Sequence, residues 1–163
     1  MSQQNGIEVL GVSQDIVIKT DYFKEFDFKV NIKISEEKIE RILATNVSIT
    51  VSSIDIIKTP VKISNEGVYF SGHKLKIELM IDIKTKYIIN TFENDIGLNS
   101  NRIVKLIYIV IPIEKNGEKL IDILRKKRID VNTYIEDIYC EFRNFNIIYT
   151  NISAIVEADI KPY

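Results

Sequence analysis

The residues that could do chemistry are few, and they cluster in one stretch. VNTYIEDIYCEF, residues 131–142, sets Glu136 and Asp137 side by side just ahead of Cys140, the single cysteine of the chain. A general acid/base pair needs two carboxylates converging on one point. Consecutive residues of a strand face opposite sides, so this pair reads as one exposed acid and one that bonds a neighbouring loop or backbone. Cys140 as a nucleophile would need a base and a group to orient it. The only histidine, His73, follows Gly72 in the turn-like FSGHKL. A lone cysteine in an apolar-aromatic strand is more often a small core residue. A metal site would have to combine His73 with carboxylates, and the chain has no H-x-x-x-H, C-x-x-C or EF-hand spacing. It also lacks a G-x-G-x-x-G or G-K-[ST] phosphate loop, so no cofactor is implied. RKKR, 125–128, is the one dense basic run, and it reads as a solvated face rather than an anion-binding surface. These residues point away from catalysis.

The elements that must position them are mostly strands. At 163 residues the chain suits one domain, 1–163, large enough to need no covalent staples. It is 45% hydrophobic and 28% charged with a net charge of −1, which argues against a nucleic-acid binder. No Sec signal peptide is expected, since MSQQNGIEVLGV has neither a basic n-region nor an apolar h-region, and no transmembrane helix, since no stretch of 18 apolar residues occurs. Isoleucine dominates the apolar set and alanine is scarce, a bias toward β structure.

Two segments alternate strictly. FDFKVNIKI, 26–34, turns Phe26, Phe28, Val30, Ile32 and Ile34 one way. KLKIELMIDIKTKY, 74–87, does the same with Leu75, Ile77, Leu79, Ile81 and Ile83. A period of two marks a half-buried strand. RIVKLIYIVIPIE, 102–114, is apolar on both faces and reads as a central strand covered from both sides, bending or ending at Pro112. Further strands are expected at 7–19, 46–58, 134–142 and 147–160, with a shorter one near 61–70. SEEKIERILA, 35–44, is the best helix, with Ser35 as N-cap and Ile39, Ile42 and Leu43 on one face. Residues 118–127 fit a helix, but Asn116-Gly117 before them is a hairpin signal, and both readings stay open. Residues 90–101 read as a long surface loop. The expected fold is mainly β: an antiparallel sandwich or partly closed barrel with one or two short helices.

Several of these segments, in this order, resemble one family. TYIEDIYCEF looks like the -YIEDV- signature of the SPOCS domain, the spore-coat assembly type domain of endospore-forming bacteria. YFKEFDFKVNIKISEEKIERILA (22–44) is similar to the family's first strand and short helical segment. SIDIIKTP (53–60) resembles its -VIKTP- element, and GVYFSGHKLKIELMIDIKTKY (67–87) its following strand. IVIPIE (109–114) and FNIIYTNISAIVEADI (145–160) resemble its later apolar strands. The residues that carry the likeness are Lys58, Thr59, Pro60, Gly72, Lys74, Leu75, Tyr134, Ile135, Glu136 and Asp137. The chain departs from the pattern in having no proline before the helical segment and Ile113 where phenylalanine is typical.

The resemblance implies a non-catalytic structural protein, made in the mother-cell cytosol and placed in a spore surface layer, coat or exosporium. Its partners would be other spore-coat proteins or itself, as a homo-oligomer. In that light YIED is a structural signature. Residues 1–20 could be an exchangeable terminal strand, and 7–19 is the first choice for a contact edge. The rival reading is a β-sandwich module that binds a carbohydrate or small ligand on a concave aromatic patch, although the eight tyrosines form no cluster in sequence.

Overall fold

Isoleucine at every second position draws the chain into two facing sheets. The computed structural model describes residues 2–4, 6–34, 38–63, 65, 69–70, 72–90, 95–144 and 146–161. Its strands are β1 (Ser2–Gln4), β2 (Ile7–Leu10), β3 (Phe23–Lys33), β4 (Ile39–Lys58), β5 (Lys62–Ile63), β6 (Tyr69–Phe70), β7 (His73–Ile89), β8 (Ile96–Val110), β9 (Glu114–Lys115), β10 (Glu118–Lys119), β11 (Ile129–Arg143) and β12 (Ile147–Ile160). One helix, α1 (Leu120–Arg125), lies between β10 and β11.

The larger sheet has the order β1-β2-β4-β7-β8 and the smaller β11-β12-β3. All pairings are antiparallel except β2 with β4. β11 lies against β4 and β3 against β8, but neither seam closes into a continuous ladder, so the fold is a mainly-β sandwich rather than a barrel. Leu75, Ile77, Leu79, Ile81 and Ile83 are fully buried between the layers, and Ile138, Ile148 and Ile152 meet them from the smaller sheet. The alternations of 26–34 and 74–87 thus fall on the faces that their periodicity predicts.

Several expectations are corrected. No helix occupies 38–44. Residues 39–44 belong to β4, and 35–37, including the proposed cap Ser35, lie outside the described residues. The cause is local. The ladder between β4 and β7 shifts register between Ile39 and Arg41, between Ile42 and Ala44, and between Val51 and Ser53. Each bulge inserts one unpaired residue. The buried positions Ile39, Ile42 and Thr45 therefore fall three apart, which imitates helical spacing.

Residues 96–101 are strand rather than loop. The strand expected at 7–19 stops at Leu10. Gly11 turns there with φ +107°, where a Cβ would overlap the Val47 carbonyl. Near 61–70 the chain forms a two-strand ribbon, β5 with β6. Both readings of 118–127 hold in part. Asn116 (φ 52°) and Gly117 (φ +80°) turn the β9–β10 hairpin, as a left-handed two-residue turn requires, and α1 follows directly. Pro112 does end the long strand, which stops at Val110. That strand is not central, however. β8 is the last strand of its sheet, and the smaller sheet covers only its inner side.

Two substitutions on β7 report on this register. Leu79→Ala or Ile81→Ala should cost about 2–5 kcal/mol in urea unfolding, because each leaves a void in a fully buried row. Lys84→Ala, on the exposed face, should stay within about 0.5 kcal/mol.

Candidate functional site

The YIED stretch is where the N-terminal segment docks onto the smaller sheet. β11 carries a bulge between Ile135 and Asp137, and Glu136 is the extra residue. Ile135 and Ile138 are buried, while Glu136 and Asp137 between them are both exposed. The expectation that consecutive acids face opposite sides is therefore overturned, because the bulge suspends alternation at this point. Ser13 clasps the bulge. Its backbone N–H donates to the Ile135 carbonyl (2.9 Å), and its hydroxyl oxygen accepts from the Ile135 N–H (3.0 Å). Tyr134 donates its hydroxyl to Oε2 of Glu157 at 3.1 Å. Burial, and then the Glu157 carboxylate, push the Tyr134 phenol above the ordinary tyrosine range. The other oxygen of Glu157 accepts from the backbone N–H groups of Lys19 and Thr20.

Glu157 is 0% exposed. A buried carboxylate is costly unless it is hydrogen-bonded, and these three donors answer that need. Neighbouring bonds extend the clasp. The Thr20 hydroxyl donates to the Ala158 carbonyl (3.0 Å), and the Ala158 N–H donates to the Tyr22 carbonyl (2.8 Å). Sequence reasoning missed Glu157. Little in the sequence marked it out, since 147–160 carries two acids, Glu157 and Asp159, at alternating positions.

Cys140 lies between the sheets. It is 3% exposed, accepts a hydrogen bond from the Thr45 hydroxyl at 3.2 Å, and pairs in register with Thr150. Burial pushes its thiol above the ordinary cysteine value. The structure does not bring His73 to it. Thr45 is opposite Thr85 near one end of β7, whereas His73 opens that strand opposite Lys58. That separation is about 40 Å of extended chain. Among the described residues no group of three or more His, Cys, Asp or Glu side chains is placed to hold a metal. No helix among them is long and apolar enough to cross a membrane.

Lys58, Thr59, Pro60, Gly72, Lys74 and Leu75 do come together, at the opposite end of the larger sheet from Cys140. Lys58 pairs with His73, Ile57 with Lys74 and Ile56 with Leu75. The Thr59 N–H donates to the Gly72 carbonyl at 2.8 Å. Gly72 has φ +80°, and a Cβ there would press on the Thr59 carbonyl and the Val61 side chain, so glycine is required. Leu75 is core, whereas Lys58 and Pro60 are exposed. Tyr134 to Asp137 lie elsewhere, on β11. The basic run is largely engaged. Lys126 bonds Glu118 at 2.8 Å, and Arg128 pairs with the same carboxylate, which these partners hold below the usual carboxylate range.

Among the described residues, β8 carries more of the exposed large apolar side chains than any other strand. Every second residue from Ile96 to Val110 faces out. Val104, Leu106, Tyr108 and Val110 are 61%, 43%, 38% and 44% exposed. Along β7 they are flanked by Met80, Glu78, Lys76 and Lys74. The Arg102–Asp82 pair, with Nε to Oδ1 at 2.7 Å, bounds one end of the row. Searches against family models, curated proteins and solved structures found no match to this chain.

Two outcomes follow from this geometry. Glu157→Ala should lower unfolding stability by roughly 2–4 kcal/mol and make residues 11–20 the first site of limited proteolysis, with a smaller loss for Glu157→Gln. Cys140 in the native protein should react with iodoacetamide at neutral pH far more slowly than the same residue in urea-unfolded chain, as mass spectrometry would record.

Proposed function

We propose that the protein is a non-catalytic interaction module that associates with itself through the outer face of β8. The observation that carries this reading is the row Val104, Leu106, Tyr108, Val110 on an edge strand. Contiguous exposed apolar residues rimmed by polar ones mark contact surfaces. An edge strand also offers unpaired backbone groups. A second copy is the favoured occupant. The net charge of −1 brings little self-repulsion, and the flanking β7 residues Lys74, Lys76, Glu78 and Asp82 mix both signs, as a self-complementary patch must. The resemblance to the SPOCS domain supports placing such assemblies in a spore surface layer, with other coat proteins as further partners.

Light scattering after size exclusion tests the contact. The wild-type chain should form dimers or larger species between micromolar and millimolar concentration. Leu106→Glu combined with Val104→Glu should weaken association at least tenfold and leave the far-ultraviolet circular dichroism unchanged. A wild-type chain that stays monomeric over this range overturns the contact. A fluorescently tagged chain should collect at the spore surface in an endospore former, and an even cytosolic distribution throughout sporulation overturns the location.

A further inference from the structure

At the end of the larger sheet where Lys58 meets His73, a cleft of about 490 Å³ opens between β4, β7 and the 112–125 excursion. Its size is in the range of small-molecule sites. Its lining has two halves. The ionisable residues on its walls are Lys58, His73, Lys119 and Arg125, and no Asp or Glu lines it among the described residues. The apolar part is Ile56, Ile113 and Ile121, of which Ile113 is 49% and Ile121 39% exposed. A chain with net charge −1 has thus gathered two lysines and an arginine around exposed isoleucines at one place.

The excursion that builds this wall is firmly held. Leu120 and Ile123 are fully buried, and Glu118 ties the hairpin to Lys126 and Arg128. Lys119, Ile121 and Arg125 are therefore presented from an anchored element. Arg125 pairs with Asp122 at 3.5 Å, a solvent-exposed contact worth little and easily exchanged for a ligand carboxylate.

We propose that this cleft binds an aliphatic carboxylate. The carboxylate would be held by Lys58, Lys119 and Arg125, and the hydrocarbon would cover Ile56, Ile113 and Ile121. A plain anion would leave the isoleucines wet, and an aliphatic amine would meet like charge. The inference does not depend on self-association through β8, because the cleft is built within one chain.

The test is amide chemical-shift titration of the Val104→Glu/Leu106→Glu variant and of the wild-type chain. The probes are octanoate, octylammonium, inorganic phosphate, and acetyl-Ala-Ala-Leu with a free or amidated C-terminus. Octanoate should shift residues 56–58, 73, 113 and 119–125 saturably, with half-saturation at about 1 mM or tighter. Octylammonium and phosphate should bind at least tenfold more weakly. Lys58→Glu with Arg125→Glu should abolish the octanoate shifts and leave the remaining spectrum in place. If the free-acid peptide also binds and its amide does not, a chain terminus is a source of the carboxylate; if octanoate alone binds, the source is a free amphiphile. Three results overturn the proposal: no saturable shifts with either carboxylate, equal shifts with octylammonium, or phosphate binding as tight as octanoate. Binding by the β8 variant that no longer associates, or its loss in a chain that still does, separates this question from the self-contact.

Discussion

A single buried carboxylate anchors the segment that runs from one sheet to the other. Glu157 sits in the middle of an apolar strand with none of its surface in water, a position that most proteins fill with a hydrocarbon side chain. It is tolerable only because Lys19 and Thr20 offer backbone N–H groups and Tyr134 offers its hydroxyl. The same requirement fixes the path of the chain. Residues 11–22 must leave the larger sheet after β2, cross the sandwich, and arrive with two amides aimed at one oxygen before β3 can begin. Ser13 on the β11 bulge guides the first part of that crossing, and Thr20 with Ala158 secures the last.

The polar links between the layers lie at the seams. The Thr45 hydroxyl meets the Cys140 sulfur, the Thr133 hydroxyl donates to the Ile49 carbonyl at 3.4 Å, and Lys105 donates to the Asp27 carbonyl at 3.3 Å. Lys105 also lies over the Phe26 and Phe28 rings, so its cation and stem cover the aromatic start of β3. The sandwich stays open along both seams around a buried apolar interior. The core supplies most of the stabilisation, and the Glu157 clasp pins the connecting segment to the smaller sheet.

The fold was legible wherever alternation was unbroken. β7 and β3 were readable residue by residue, and 147–160 coincides with β12. Reading failed where a bulge changed the period. Ile39, Ile42 and Leu43 imitate a helix because the backbone skips a residue on the way to the next inward position, and no propensity scale records that. The same effect hid the shared orientation of Glu136 and Asp137. β8 failed for a different reason: its two apolar faces are real, but whether a second layer covers the outer one depends on sheet order. Of the signature residues, Gly72 was understandable as a turn glycine. The partnership of Tyr134 with Glu157 was not, because it joins positions 23 residues apart across two strands.

The three bulges of β4 also bear on how such a chain can change length over evolutionary time. In a regular strand, loss of one residue reverses every side chain beyond it and turns the core outward. At Glu40, Leu43 and Ser52 the opposite holds. Each is a surplus residue with no ladder partner, so its removal would restore simple alternation and leave Ile39, Ile42, Val47 and Ile54 facing as they do now. Relatives with one to three fewer residues within β4 could therefore share this core without compensating substitutions. A gap in an alignment over 39–53 would record a straightened strand rather than a lost element.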